Sequence, residues 1–139
     1  MRDAADQHAA EETAMAKIAL GMSKPTLIRT LAANAGLFGL TGVLAPRVLE
    51  TVYGIPPSPH SRQLLRLFGS RMLVLAAWSY TARTDEEANR ALGAGVAMNV
   101  IDTLTALSAA RATGGTAVRG AVTSAAFAGI LAAVRSLDD

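Results

Sequence analysis

The chain has 139 residues, of which 51% are hydrophobic, 17% charged and 4% aromatic, with a net charge of +2. That length fits one domain, and the scattered Lys and Arg residues exclude a basic stripe with interleaved aromatics, so nucleic acid is not an expected partner. The absence of Cys excludes disulfides, thiol catalysis and thiolate metal sites.

The hydrophobic share is mostly small, with 29 Ala beside 12 Gly. Such residues fill a soluble core poorly but let helix backbones approach closely, which is how helices associate in lipid. The mean hydropathy of +0.32 is diluted by a polar beginning. Residues 1–24 read as a polar N-terminal extension with high helix propensity. Met15, Ile18 and Met22 give it a thin apolar stripe, which suits either a solvated terminus or a helix lying on a membrane surface or a partner. It lacks the apolar run of a signal peptide.

Ser23, Lys24 and Pro25 form a helix start. The first segment, residues 25–45, carries no charge between Arg29 and Arg47 and is broken by Pro46. Residues 47–53 are a short amphipathic piece stopped by Gly54, and residues 55–60, with three prolines, read as loop. The second segment, residues 61–82, has Arg62 and Arg66 near its start, Arg71 in its middle, and Trp78 and Tyr80 near its end, where interfacial aromatics belong. The third segment, residues 85–110, opens with Asp85, Glu86 and Glu87, which complement a helix dipole. Residues 111–115 close it, and the fourth segment spans residues 116–137.

No segment has the alternation of a strand. Each is about 20 residues long, the length that crosses a bilayer. The expected fold is all-α: an up-down-up-down four-helix transmembrane bundle over residues 25–139, behind the extension of residues 1–24. The second segment is the weakest span. Eight favourable residues at about −0.3 to −0.6 kcal/mol each only offset a central Arg at about 2.5 to 3.5 kcal/mol, before Arg66 is counted. It therefore needs the third segment, with Asp102, to insert beside it. In the fourth segment, uncharged from Gly120 to Val134, Ala117, Ala121, Ala125, Gly129 and Ala133 form a small-residue ridge, with Gly120, Ser124, Ala128 and Ala132 beside it. Both ridges suit close helix packing. Seven basic residues (Arg2, Lys17, Lys24, Arg29, Arg83, Arg90, Arg135) fall on the side of the N-terminus and five (Arg47, Arg62, Arg66, Arg111, Arg119) on the other, which places the N-terminus inside.

Ala45-Pro46-Arg47, then Tyr53-Gly54-Ile55-Pro56, then Arg66 with Gly69-Ser70-Arg71, resembles the DoxX-like group of small four-helix bacterial membrane proteins. In that group a first span ends in a Pro-containing interfacial piece, a Gly-x-Arg element opens the second span and an acidic residue sits in the third. The resemblance covers residues 25–137. It implies a four-span protein of the cell membrane and assigns no catalytic residue. Some members of the group look like membrane subunits of redox complexes, but this chain has no Cys to carry electrons or thiols.

Arg71 and Asp102 each interrupt an apolar run, about fifteen residues either side of the polar break at residues 84–89. A helix–helix turn there sets them face to face at one depth, and charges in such surroundings need a partner. Asn99 shares a helix face with Asp102, Gly95 and Ala106, and Asn34 lies near the middle of the first segment. The four residues Arg71, Asp102, Asn99 and Asn34 are the expected buried polar cluster or ligand pocket. One reading is an internal ion pair whose spare Arg donors go to the two asparagines. The other is the polar floor of a pocket for a lipophile with a polar head, or a proton relay.

His8 and His60 lie in polar stretches without an acidic cluster, so no metal site is expected. Ser70, Ser79 and Ser124 have no base in reach by sequence, and Gly93-Ala94-Gly95 follows no strand, so neither a catalytic triad nor a nucleotide loop is supported. No catalytic residue and no cofactor is assigned, and enzymatic activity stays open. The leading expectation is an accessory or packing subunit of a membrane complex, partnered by membrane lipid and by another membrane protein or a second copy. The alternative is an intramembrane lipophile- or quinone-binding protein, or an isomerase, built around Asp102. A soluble, self-associating helical bundle is the third reading.

Overall fold

The computed structural model describes residues 21–137. His8 and most of the apolar stripe of the N-terminal extension lie outside the described residues, as do the last two residues. Five helices follow in order: α1 (Lys24–Leu44), α2 (Pro46–Tyr53), α3 (Pro59–Thr81), α4 (Asp85–Thr113) and α5 (Gly115–Arg135). Among the described residues there is no strand.

Proline and glycine set most of the boundaries. Pro46 has no N–H to continue α1, and it forces Ala45 out of helical conformation, to φ −132°. The same proline occupies the first turn of α2, where the missing donor is not needed. Gly54 then ends α2 at φ +66°, a left-handed cap that glycine adopts without a Cβ penalty. The next helix starts two residues before the expected boundary. Ser58 and Ser61 form a reciprocal capping box, with both backbone-to-hydroxyl bonds at 2.9 Å, and Pro59 fits the first turn behind it. Thr84 caps α4 by accepting from the Glu87 N–H at 3.1 Å, while the Glu87 carboxylate accepts from the Arg83 N–H at 3.0 Å. Residues 111–113, expected in the closing turn, continue α4, and the reversal is made at Gly114 with φ +53°.

The helices pack as two close pairs, α1 with α3 and α4 with α5, and contacts between the pairs are sparse. Backbone meets backbone in the first pair. A Cβ at Gly69 would sit 2.6 Å from the Gly39 oxygen, and a Cβ at Gly42 would sit 2.9 Å from the Leu65 oxygen. In the second pair the approach is looser: a Cβ at Gly120 would sit 3.8 Å from the Ala106 Cβ, and one at Gly95 would sit 3.0 Å from the end of the Leu131 side chain. Leu27, Ile28, Ala88, Leu92, Val134 and Leu137 form an apolar cluster that closes the end opposite α2.

The small-residue ridge of the fourth segment is not the packing face throughout. Ala117 and Ala121 are buried, but Ala125, Gly129 and Ala133 are exposed. Each i+4 step advances about 40° around a helix, so a long ridge winds off the contact face. The packed stripe continues instead through Phe127, Leu131 and Val134.

The exterior is apolar. Leu37, Leu44, Leu64, Val74, Leu104 and Val122 are all more than 60% exposed. A water-facing surface rarely carries so much apolar area. Three helices, α1, α4 and α5, are long and apolar enough to cross a membrane. Four were expected. The missing one is α3, which has 23 residues but carries Arg62, Arg66 and Arg71.

Candidate functional site

Sparse contact between the two helix pairs leaves a cavity of about 260 Å3 at the α2 end. Ala35, Met72 and Phe127 line its inner part, while Leu49, Tyr53 and Ile55 line the part beneath α2. Phe38 stands edge-on to two other rings, Tyr53 at 6.3 Å and Phe68 at 5.8 Å, so one wall is an aromatic row linking α1, α2 and α3. Past Asn99 the space narrows to an apolar void of about 40 Å3 among Ala32, Ala76, Leu92 and Leu131.

Three anchors hold α2 over this cavity. Glu50 is only 3% exposed, and its Oε1 accepts from the Ser61 hydroxyl at 2.6 Å. Its Oε2 accepts from the Arg62 Nε–H at 3.4 Å. The Ser61 hydroxyl above all, with the Arg62 charge, holds the Glu50 carboxyl below its usual range against the opposing effect of burial. At the other end of α2, Thr116 donates to the Gly54 carbonyl at 2.9 Å and Arg119 donates to the Val52 carbonyl at 3.2 Å. Both bonds satisfy carbonyls that a helix C-terminus leaves open. Glu50 was not singled out in the sequence; the Ser58-x-x-Ser61 spacing next to a Pro-rich loop is the signal that points to a built junction there.

At the inner end the structure brings Arg71 and Asp102 together. Arg71 Nη2 donates to Asp102 Oδ2 at 2.7 Å, which ties α3 to α4 across the seam between the two pairs. The seam is open on its outer side: the Arg71 side chain is 43% exposed and that of Asp102 21%. The remaining guanidinium surface rests on the Phe68 ring, 5.0 Å from its centroid, rather than on asparagine oxygens as expected. Asp102 lines the cavity; Arg71 stands behind Phe68 and does not.

Asn99 joins Asp102 in the lining, 8% exposed. Its Nδ2 donates to the Gly95 carbonyl at 2.9 Å. A carbonyl partner fixes the amide orientation, because the oxygen cannot take that place. The Asn99 Oδ1 has no hydrogen-bond partner among the described residues and is not sealed from the open space. Asn34 does not join the cluster. It is exposed on α1, one residue from the cavity-lining Ala35 and so about 100° around the helix from it.

The serines divide. Ser70 bonds back to the Arg66 carbonyl at 3.0 Å within its own helix. Ser124 lines the cavity. Gly93 and Gly95 lie inside α4, which makes them helix-packing positions rather than a loop. Among the described residues no three His, Asp or Glu side chains converge as metal ligands.

No family model, curated protein or solved structure matches the chain. The fold and site themselves define an all-helical protein with three membrane-crossing candidates and a lidded apolar cavity that has an amide and a carboxylate at its inner end.

Proposed function

We propose that this chain is a multi-pass protein of the cell membrane that binds a small lipophile with a polar head between its helix pairs. The four long helices form an up-down-up-down bundle of the DoxX-like kind, with the N-terminus inside. The observation that carries the reading is the 260 Å3 cavity, lined mostly by apolar side chains, with Asn99 and Asp102 among the few polar groups that meet it. An engineered void of about 150 Å3 accommodates benzene, so this one has room for a ring with a short chain. Lining of that kind, apolar with few placed polar groups, is what small-molecule sites share.

The test is native mass spectrometry of the full chain extracted in mild detergent. A bound small molecule is expected in the wild type and is expected to be lost in Ala106→Phe, which fills the cavity from its lining. Ligand-free wild-type protein whose Tm no apolar probe raises would overturn the reading. The second reading, an accessory subunit of a membrane complex, draws on the exposed small-residue side of α5 at Ala125, Gly129 and Ala133. Co-purification of a stoichiometric membrane protein, lost when Gly129 is replaced by Leu, would favour it.

A further inference from the structure

We infer that the cavity selects a neutral hydroxyl-bearing lipophile, a phenol or alcohol that donates its proton to the Asn99–Asp102 floor. This inference rests on the lipophile-binding reading above and specifies its head group.

The orientation of acceptors carries it. Asn99 is 8% exposed and lines the cavity, and its Nδ2 is held by the Gly95 carbonyl, which leaves Oδ1 as the acceptor not used in that bond. An amide oxygen that meets the cavity gains a hydrogen bond when the ligand brings a donor. Asp102 is the one charged residue in the lining, and Arg71 engages its Oδ2 from outside the cavity. The carboxylate therefore still presents acceptor capacity inward. One helical turn of α4 thus sets two acceptors side by side at the cavity's inner end.

Three alternatives in head group fit this floor less well. A carboxylate or phosphate head meets the Asp102 charge with no cation in the lining to offset it. An ether or ester head has no proton to give to either acceptor. An ammonium head finds Asp102 already neutralised by Arg71. A hydroxyl gives its one proton to either acceptor, brings no charge, and keeps its own oxygen free to accept from the Ser124 hydroxyl in the lining.

The experiment measures affinity of the full chain in detergent micelles for 4-propylphenol, its methyl ether 4-propylanisole, propylbenzene and 3-phenylpropylamine. Isothermal titration is corrected for micelle partitioning with Ala106→Phe protein. The phenol is expected to bind at least tenfold more tightly than the anisole and the amine. That preference is expected to fall to within threefold in Asn99→Leu, which keeps side-chain size and removes the acceptor. Asn99→Ser, whose hydroxyl donates to the Gly95 carbonyl and still offers lone pairs to the ligand, is expected to retain it, so a folding defect in the Leu variant does not decide the matter. Equal binding of phenol, anisole and propylbenzene overturns the hydroxyl preference while leaving a lipophile site standing. Tighter binding of the amine overturns it in favour of charge recognition. Binding of none of the four overturns both this inference and the reading on which it rests.

Discussion

Gly36 and Gly39 lie one turn apart on α1, and replacing each by Ala should have opposite effects. A Cβ at Gly36 meets only the Ala76 Cβ, at 3.7 Å, which is ordinary contact. Gly36→Ala should therefore gain the helix preference of Ala over Gly, about 0.5–1 kcal/mol. At Gly39 the new carbon would lie 2.8 Å from the Gly69 oxygen and 3.0 Å from the Leu73 nitrogen. At Gly69 it would lie 2.6 Å from the Gly39 oxygen, about 0.8 Å short of the 3.4 Å at which ordinary contact begins. These obstacles are backbone atoms of a facing helix, so no side-chain rotation relieves them. Overpacking of this kind costs about 1–3 kcal/mol, and with two backbone clashes the upper part of that range applies. After subtracting the helix-preference gain, Gly69→Ala should lose about 1–2 kcal/mol. For a chain of this size that is a Tm drop of about 3–10 °C. The assay is thermal unfolding in one detergent, followed by circular dichroism, for Gly36→Ala, Gly39→Ala, Gly69→Ala and the outward-facing control Gly129→Ala, whose Cβ meets nothing within 4 Å. Unchanged stability of Gly39→Ala and Gly69→Ala, or losses at Gly36 and Gly129 as large as theirs, would refute the close crossing of α1 and α3.

Three further expectations concern polar contacts. Arg71→Ala and Asp102→Ala should each lower the folded yield in membranes, and the charge-swapped double variant should recover part of it; wild-type yield from both single variants would remove the pair from the folding account. Glu50 has a folded-state pKa below its ordinary 4.5, so its contribution is complete above that value and is lost as pH falls through the lower folded pKa. Thermal stability should therefore decline as the medium is acidified from pH 5 downward, and Glu50→Gln should flatten that decline; an identical slope in both proteins would count against the Ser61–Glu50 junction. Arg119→Ala removes a donor to the α2 carbonyls and should make the residue 54–58 connection cleave several-fold faster in limited proteolysis, with Tm little changed.

Helix positions were legible where the chain carries punctuation. Pro46, Gly54, the Thr84–Asp85 junction and the glycines at 114–115 each act through one backbone property, so their effect is local and readable. The Arg71–Asp102 contact was legible for another reason: a charge within an apolar run needs a partner, and the turn between them sets the register. Asn34 shows the limit of that approach. Its depth along α1 suits the cluster, but depth does not fix direction, and a step of about 100° sends it outward. The tight crossing rests on Gly39 and Gly42 facing Gly69, a shorter small-residue pattern than the Ala ridge of α5, so length of pattern does not rank the packing. The cavity leaves no such mark. It exists because two well-packed pairs meet poorly, and a missing contact has no residue signature.

Helix α3 owes its position to neighbours on two sides. Its outward face carries Leu64, Leu67 and Val74, all at least 60% exposed, which suits lipid, but its three arginines keep it from being a span by composition. One side is locked against α1 by Gly69, and the other is tied to α4 through Arg71 and Asp102. By contrast α4 is apolar and long enough to cross alone. Loss of Asp102 should therefore displace α3 and leave α4 in place, although the substituted residue is on α4. Because the chain has no Cys, single engineered cysteines report this without background. Val74→Cys on α3 and Leu104→Cys on α4 should both resist a water-soluble maleimide in membranes of the otherwise unaltered protein. With Asp102→Ala added, the residue-74 thiol should become reactive and the residue-104 thiol should stay protected. Protection of both would mean that the Gly69 crossing alone retains α3, and reactivity of both would mean that the pair organises the whole assembly of helices.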